Sequence, residues 1–557
     1  MKRQTFTTTL LLVVAVFFAA CSNETKEEIK EDAGVTVDAG RLKFSISEAP
    51  FGADTEIKTR NPLPTTPQKV DLGEGVEAEV SIEREVAPET TRAPKPMSDG
   101  NYTIVAYKDG VRIEQKITFT MSSGVMNITS PKARYSWVSK GSTYTFVCFN
   151  DKVQDNNDGT FTVTLANAAT ALIDKQSVTI NDNNDKEVKF AMKHIGARVR
   201  TKLIAAMTPT NVIATLGYQA NQVPASIVYD FTLGTLSTSS TKSSDAKMQT
   251  QSYDITDTVH DAVLNDDLTT VTGNQYLSVL AGTKPEELIY QITGGTVYYA
   301  NINTKGTRKL KATGMFEANG AYTLTIKLMP RHQYLFEDGK TGHLSESGRQ
   351  GHTPIAIVFA PHRAIALWDA NGGAKTKFDA DDYHNWGQRN SKMFFTYQEG
   401  LSNTTSGQVW TWEKNYKGKA KAEDLLFPAY YYAGNFYKSP DLTSKATLTG
   451  TNINKSGVWY LPSWYEWKEV FMKLGFGDGS QVTDDSAYPF KGSIVNRAFK
   501  AANGTSFTDN NENRYYWSSS EYNNYWAFNI MSGDTWMTFT YMNKDGSLPH
   551  VRPFVAF

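Results

Sequence analysis

Cysteine is almost missing from this chain, with two residues, Cys21 and Cys148, in 557. So few thiols cannot build a disulfide framework, a structural zinc site of cysteines or a C-x-x-C redox centre. The fold must then be held by hydrophobic cores. Long apolar runs are also missing. The longest, Leu10 to Ala20, has 11 residues, against the ~20 that a membrane-spanning helix needs. Charge of one sign is lacking too. The formal net charge is −1, so no global field favours nucleic acid. No glycine-rich phosphate loop and no H-E-x-x-H motif occur. Five of the eight histidines fall between His332 and His384, at spacings of 11, 9, 10 and 22 that match no metal-ligand motif. The run Asp379-Ala380-Asp381-Asp382 lacks the turn glycine and terminal glutamate of an EF-hand loop. Paired carboxylates could serve a hydrolase, but the sequence does not say which acids face each other. These absences lead to the expectation of a non-enzyme with no cofactor, no metal and no nucleic-acid partner.

What the chain does have is aromatic rings and turn residues. Aromatics make up 12% of it, with 28 Tyr, 28 Phe and 11 Trp. Together with abundant Thr, Ser, Asn and Gly this favours strands and turns. The first residues read as an export signal: Lys2 and Arg3, the apolar run, then Phe18-Ala19-Ala20-Cys21. Small residues before a cysteine fit a lipoprotein cleavage site, with Cys21 as the acylated residue. Residues 1–20 are then the signal peptide and 21–40 an acidic, solvated tether. Leu42 to Ile46 alternates as a strand should. The stretch from Asn61 to Pro67 breaks helices and strands with three prolines. Tyr102 to Tyr107 and Val111 to Phe119 flank Asp109-Gly110, a type I′ hairpin signal. A small helix is expected over Asn167 to Asp174. Tyr144 to Phe149, Val188 to Met192, Ala197 to Leu203 and Tyr322 to Leu328 are further strands. Residues 41–193 and 194–335 have similar length and style, consistent with two β-sandwiches in series.

Residues 336–557 differ. They hold ten of the eleven tryptophans. Ser463 with Glu466 forms a capping box. Trp464, Trp467, Val470, Phe471 and Leu474 then make an apolar stripe at helical spacing, and Gly475 ends it. A second helix is expected near Ser493 to Ala502. Short strands follow at Trp526 to Met531, Trp536 to Tyr541 and Val551 to Phe557.

Two resemblances organise these segments. Phe190-Ala191-Met192-Lys193-His194-Ile195-Gly196-Ala197-Arg198-Val199, Tyr276 to Thr283 and Tyr334 to Gly339, in that order, resemble Bacteroidetes fimbrillin-family proteins over about 40–335. That resemblance implies lipoprotein precursors with two transthyretin-like β-sandwich domains, which assemble into pili by strand exchange. It also implies cleavage after an arginine that frees the first strand; the candidates are Arg60 and Arg92. Trp459 to Trp467, Tyr516 to Glu521 and Val551 to Phe557 resemble a Fibrobacter-paralogue type of domain with a C-type-lectin-like fold. The calcium-binding sugar signatures of true C-type lectins are absent.

The expected fold is therefore mainly β: two sandwiches followed by an α+β, C-type-lectin-like, ligand-binding domain at 336–557. The expected function is a fimbrial subunit, read as a tip adhesin, anchored by lipid to the outer membrane and exposed at the cell surface. Its expected partners are other fimbrial subunits through donor-strand exchange, and a glycan or a host or bacterial surface protein. A non-polymerising surface lipoprotein and a structural or anchoring subunit are the alternatives. Saccharide rings pack on Trp and Tyr, and their hydroxyls need Asp, Asn or Glu partners. Trp517, Glu521, Trp526, Asp534 and Trp536 supply that mixture as ligand-binding candidates. Residues 340–557 are expected to bind ligand without the sandwiches. The strand at Val551 to Phe557 is expected to be integral to its domain and so unavailable for donation.

Overall fold

The computed structural model describes residues 35–38, 42–52, 67–85, 97–130, 138–181, 186–264, 266–380, 393–415, 417–508 and 513–557. Cys21, Arg60, Arg92, Asp381, Asp382 and His384 lie outside the described residues. The protein is mainly β. No described helix is long and apolar enough to cross a membrane.

The first eight-stranded sheet runs from Val35–Asp38 at one edge to Val125–Ile128 at the other. Its two parts meet only where Leu172 and Ile173 pair with His194 and Lys193. At that corner the sheet folds over on itself. The strands Leu42–Glu48 and Lys186–His194 then face Gly100–Lys108, Val111–Ser122 and Thr143–Asn150. Leu42, Phe44 and Ile46 share one core with Ile104, Phe119, Phe146, Cys148 and Phe190. The Phe44 and Phe146 rings meet edge to face at 5.1 Å. The alternation of apolar residues across Leu42–Glu48 is what puts one face inward. The hairpin at Asp109-Gly110 forms as expected, with φ of 50° and 80° at the two turn residues, which a type I′ turn requires. Cys148 is a free, buried thiol, and burial pushes its pKa up.

Two expectations change here. Val35–Asp38, read as the end of the tether, pairs antiparallel with the Leu42 strand; Val-Thr-Val is β-branched and extends readily. The expected helix at Asn167 to Asp174 is a single turn at Leu165–Asn167 followed by the strand Leu172–Thr179. The side chain of Asn150 closes that turn, donating to Thr170 O at 2.7 Å and accepting from Leu172 N at 3.1 Å. Two such bonds give the backbone an alternative to helix.

The second sandwich encloses its own core between a seven-stranded and a five-stranded sheet. The chain crosses the 193/194 division twice to build it and its neighbour. The hairpin of Gln68–Gly73 and Val76–Arg84 joins the second sandwich, where Val76–Arg84 pairs with Ala321–Pro330 from end to end. Val70, Leu72, Val76, Ala78, Val80 and Ile82 sit in that core. The strand Thr160–Thr164 pairs with Ser226–Asp230 in a small sheet. It covers the outer face of the first sandwich with Phe161, Val163, Ile227 and Phe231.

Residues from Tyr334 onward form a six-stranded and a four-stranded sheet with helices around one aromatic core. The capping box at Ser463 and Glu466 is present and starts the helix Trp464–Lys473. Gly475 follows that helix because a Cβ there would lie 1.9 Å from the Phe490 ring. The left-handed residue is Phe476, with φ of 56°. Phe554–Ala556 lies between Arg363–Ala366 and Trp459–Tyr460, paired on both sides.

Candidate functional site

The five sequence candidates do not converge. Trp517 is wholly buried. It donates from Nε1 to Thr376 O at 2.8 Å and meets the Phe378 ring at 5.3 Å. Glu521 is 1% exposed and takes an ion pair of 2.7 Å from the buried Lys544. Both hold the domain together and offer no face to solvent. Burial of a large indole and of a paired acid could not be read from a motif alone. Asp534 and Trp536 flank the turn between Trp526–Ser532 and Trp536–Asn543. The Asp534 carboxylate accepts from the Thr508 hydroxyl, and its carbonyl accepts from Gly492 N at 2.8 Å. Trp526 lies at the far end of the same hairpin, opposite Asn543. At ~3.3 Å per residue the two tryptophans stand about 20 Å apart.

Trp526 is the candidate with company. It is 37% exposed and Tyr525 beside it is 53% exposed. Tyr522 N and Asn523 N both donate to Trp526 O. The Asn523 side chain accepts from the backbone N–H groups of Tyr525 and Trp526 at 2.8 and 3.0 Å. This tight turn presents the two rings outward. Behind them Tyr541 stacks on Tyr522 at 4.5 Å and meets Trp526 at 5.5 Å. Tyr397 adds a ring 6.1 Å from Tyr541. Burial, with Asp485 and neighbouring groups, raises its pKa and keeps the phenol a donor. Exposed Phe395 follows Phe394, whose N–H donates to Glu521 O. The result is an aromatic ledge edged with amides. Such a surface can pack against sugar C–H faces or an apolar side chain. The sequence offered Trp526 but not the ledge, because Tyr397 comes from a distant segment and the cross-strand placement of Tyr541 depends on the hairpin register.

Among the described residues no group of three or more His, Cys, Asp or Glu is placed to hold a metal. A cleft of about 520 Å³ lies where the C-terminal domain meets the second sandwich, lined by residues including Arg331, His332, His362 and Lys473. Burial, with Arg497 and His343 nearby, lowers the His332 pKa from 6.5 to about 4. The unfolded chain therefore takes a proton at this residue before the folded chain does. Stability falls as pH drops from about 6.5 to about 4. His332→Gln is expected to lose less stability than wild type between pH 7 and pH 4 in urea titrations. An unchanged pH dependence would rule this histidine out as a source.

No family model matches the chain, and no curated protein matches it in sequence. Solved structures similar to it include fimbrial and candidate cell-adhesion proteins of Bacteroides. A fimbrial protein from Bacteroides vulgatus is 13% identical, with a TM-score of 0.26, over 44% of this chain and 94% of that one. A fimbrial protein from Bacteroides ovatus is 14% identical, with a TM-score of 0.23, over 84% and 96%. A candidate cell-adhesion protein from Bacteroides uniformis is 12% identical, with a TM-score of 0.26, over 41% and 86%. Likenesses this loose leave the functional reading to the residues themselves.

Proposed function

We propose that the protein is a fimbrial subunit of the bacterial surface that accepts a strand in its first sandwich and binds a glycan or surface protein through its C-terminal, lectin-like domain. The observation that carries this reading is the Leu42–Glu48 strand. It runs parallel to Lys186–His194 over seven paired positions, Leu42 with Lys186 through Glu48 with Met192. Leu42, Phe44 and Ile46 are fully buried. Removing the strand opens a groove with one free backbone edge and three vacated apolar places. A strand from a neighbour can fill it by β-strand addition.

The two candidate cuts differ in consequence. A cut after Arg60 frees the Leu42 strand together with Val35–Asp38 paired to it, and leaves the second core intact. A cut after Arg92 also severs the Val76–Arg84 strand, whose apolar face belongs to the second core and whose Glu79 pairs with Arg497 at 3.1 Å. Arg60 is therefore the maturation site. Acylated Cys21 then tethers the precursor to the outer membrane, and cutting releases it for assembly. Mass spectrometry of protein N-termini should find acylated Cys21 on the precursor and Asn61 in fibres. Fibres whose subunits begin at Cys21 would refute the maturation step.

The aromatic ledge at Trp526 supports the binding role. The central, doubly paired position of Phe554–Ala556 argues that this strand is not one the subunit donates. Trp526→Ala is expected to weaken ligand binding by about 1–3 kcal/mol with no change in the unfolding curve, while Trp536→Ala leaves binding intact. Glycan arrays and matrix-protein screens on the full chain provide the readout. Equal binding by wild type and Trp526→Ala would remove the ledge from the site.

A further inference from the structure

We infer that the acceptor groove selects the strand it receives by two side chains: a carboxylate in the place of Glu48 and an aromatic ring in the place of Phe51. This rests on the strand-acceptor reading above and adds a recognition rule to it. Glu48, at the end of the buried strand, is 2% exposed. It accepts from Ser98 N at 3.1 Å and from the Ser98 hydroxyl at 2.5 Å. His194 Nε2 lies 3.6 Å from its other oxygen. Three residues on, the Phe51 ring stacks on the His194 ring at 3.8 Å and 9°. The Arg198 guanidinium covers Phe51 at 4.6 Å and the Tyr276 ring at 4.1 Å. Arg200 lies 4.9 Å from the same Tyr276 ring. One stack thus runs His194, Phe51, Arg198, Tyr276, Arg200.

Tyr276 and Arg200, at the far end of that stack, are held without the departing segment. Glu85 fixes Arg200 at 2.6 Å, the Tyr276 hydroxyl at 2.8 Å and the Thr323 hydroxyl at 2.6 Å. The Tyr102 hydroxyl donates to Ser98 O at 2.7 Å. Asn319 grips the backbone on either side of the ring, donating to Pro50 O at 3.0 Å and accepting from Gly52 N at 2.7 Å. Asn319 N itself donates to His194 O and Gly196 O. A cleft of about 620 Å³ already lies at this spot, lined by Glu48, Phe51, Ser98, Asn150, His194 and Arg198 among others. His194 Nδ1 and Arg198 Nε are buried there without hydrogen-bond partners.

When the Leu42 strand leaves, the Ser98 N–H loses its acceptor and Arg198 loses one of its two rings. A buried donor left unpaired is costly, whereas an apolar strand of the right length could satisfy the groove without touching these groups. The two polar and aromatic fixtures therefore discriminate where apolar burial cannot. The incoming segment must carry apolar residues at three alternating places, an acid two residues after the third, and a ring three residues after the acid. Val551 to Phe557 contains no acid, so that segment of this chain does not fit the rule. The partner segment is an extended strand of another subunit with that pattern.

The test uses the full chain with a sequence-specific protease site in place of residues 58–62, cut in vitro and offered labelled peptides of residues 42–52. The wild-type peptide is expected to enter the groove. Peptides with Phe51→Ala or Glu48→Ala should bind roughly tenfold more weakly or worse, and Phe51→Tyr close to wild type. Arg198→Met in the receptor should shrink the difference between the Phe51 and Phe51→Ala peptides, which a merely greasy contact would not do. Binding of all peptides within about twofold would overturn the rule while leaving strand acceptance standing. Failure of the wild-type peptide to enter, even when exchange is promoted by mild denaturant, would overturn strand acceptance and the rule with it.

Discussion

Replacing Arg552 with alanine is expected to cost the C-terminal domain about 3–5 kcal/mol, the loss typical of breaking a buried ion pair from one side. Arg552 is fully buried. Its Nε lies 2.6 Å from Asp369 Oδ1 without hydrogen-bond alignment. Nη1 donates to Leu367 O at 2.9 Å and Ala366 O at 3.2 Å, and Nη2 reaches Thr505 O at 3.4 Å. The guanidinium also lies 5.0 Å from the Phe499 ring. One side chain thus joins the end of the Arg363–Ala366 strand, the loop after the Gly492–Ala501 helix, and the last strand. Its removal leaves Asp369, 5% exposed, with Arg514 at 3.2 Å as its remaining ion-pair partner. Arg552→Lys keeps the charge but not the planar fork, and should fall between alanine and wild type. Urea unfolding followed by tryptophan fluorescence reads both, since most tryptophans lie in this domain. A loss below about 1 kcal/mol for Arg552→Ala, the scale of an exposed pair, would show that the cluster carries little stability.

Ile494→Asp is expected to separate the C-terminal domain from the second sandwich, at a cost of several kcal/mol for burying an unpaired charge, about 3 or more. Ile494, on the Gly492–Ala501 helix, belongs to the core of the second sandwich. Around it Ser493 donates to Asp266 at 2.7 Å, Arg497 pairs with Glu79, and the Phe476 ring meets Tyr298 at 4.8 Å. Limited proteolysis should then cut the variant near residues 330–334 far faster than wild type. Unchanged proteolysis would mean that the contact is incidental. The same plug bears on the segment 340–557 produced alone. It would expose Ile494 and Phe476, so ligand binding is better measured on the full chain. Ile494→Ser should improve solubility of the isolated segment.

Much of the local structure was legible because it is set by neighbours in sequence. Asp109-Gly110 dictates a turn, Ser463 with Glu466 caps a helix, and Leu42 to Ile46 alternates whatever lies around it. Segment 68–84 was not legible as part of the second sandwich. Its alternation marks a strand but not a partner, and its partner Ala321–Pro330 lies beyond the whole first sandwich. The candidate site failed for a related reason. Trp517 and Trp526 belong to the same hairpin, and their chemistry is identical. One faces Phe378 and the other solvent, a difference set by packing from residues more than a hundred positions away. His194, Arg198 and Tyr276 stood inside the motifs that suggested the family, yet only the folded chain brings them onto Phe51.

The placement of the 68–84 hairpin also sets a timetable. The hairpin emerges from the ribosome before the first sandwich does. It cannot bury Val70, Leu72, Val76, Val80 and Ile82 until residues 321–330 arrive to pair with it. Contacts so distant in sequence form late and slowly. For that interval a two-stranded ribbon with a sticky face is tethered to a sandwich that can already close, an aggregation-prone intermediate of the kind that chaperones bind. The polar face of the same ribbon carries Glu77, Glu79 and Glu83, which keep it soluble and repel a second copy while it waits.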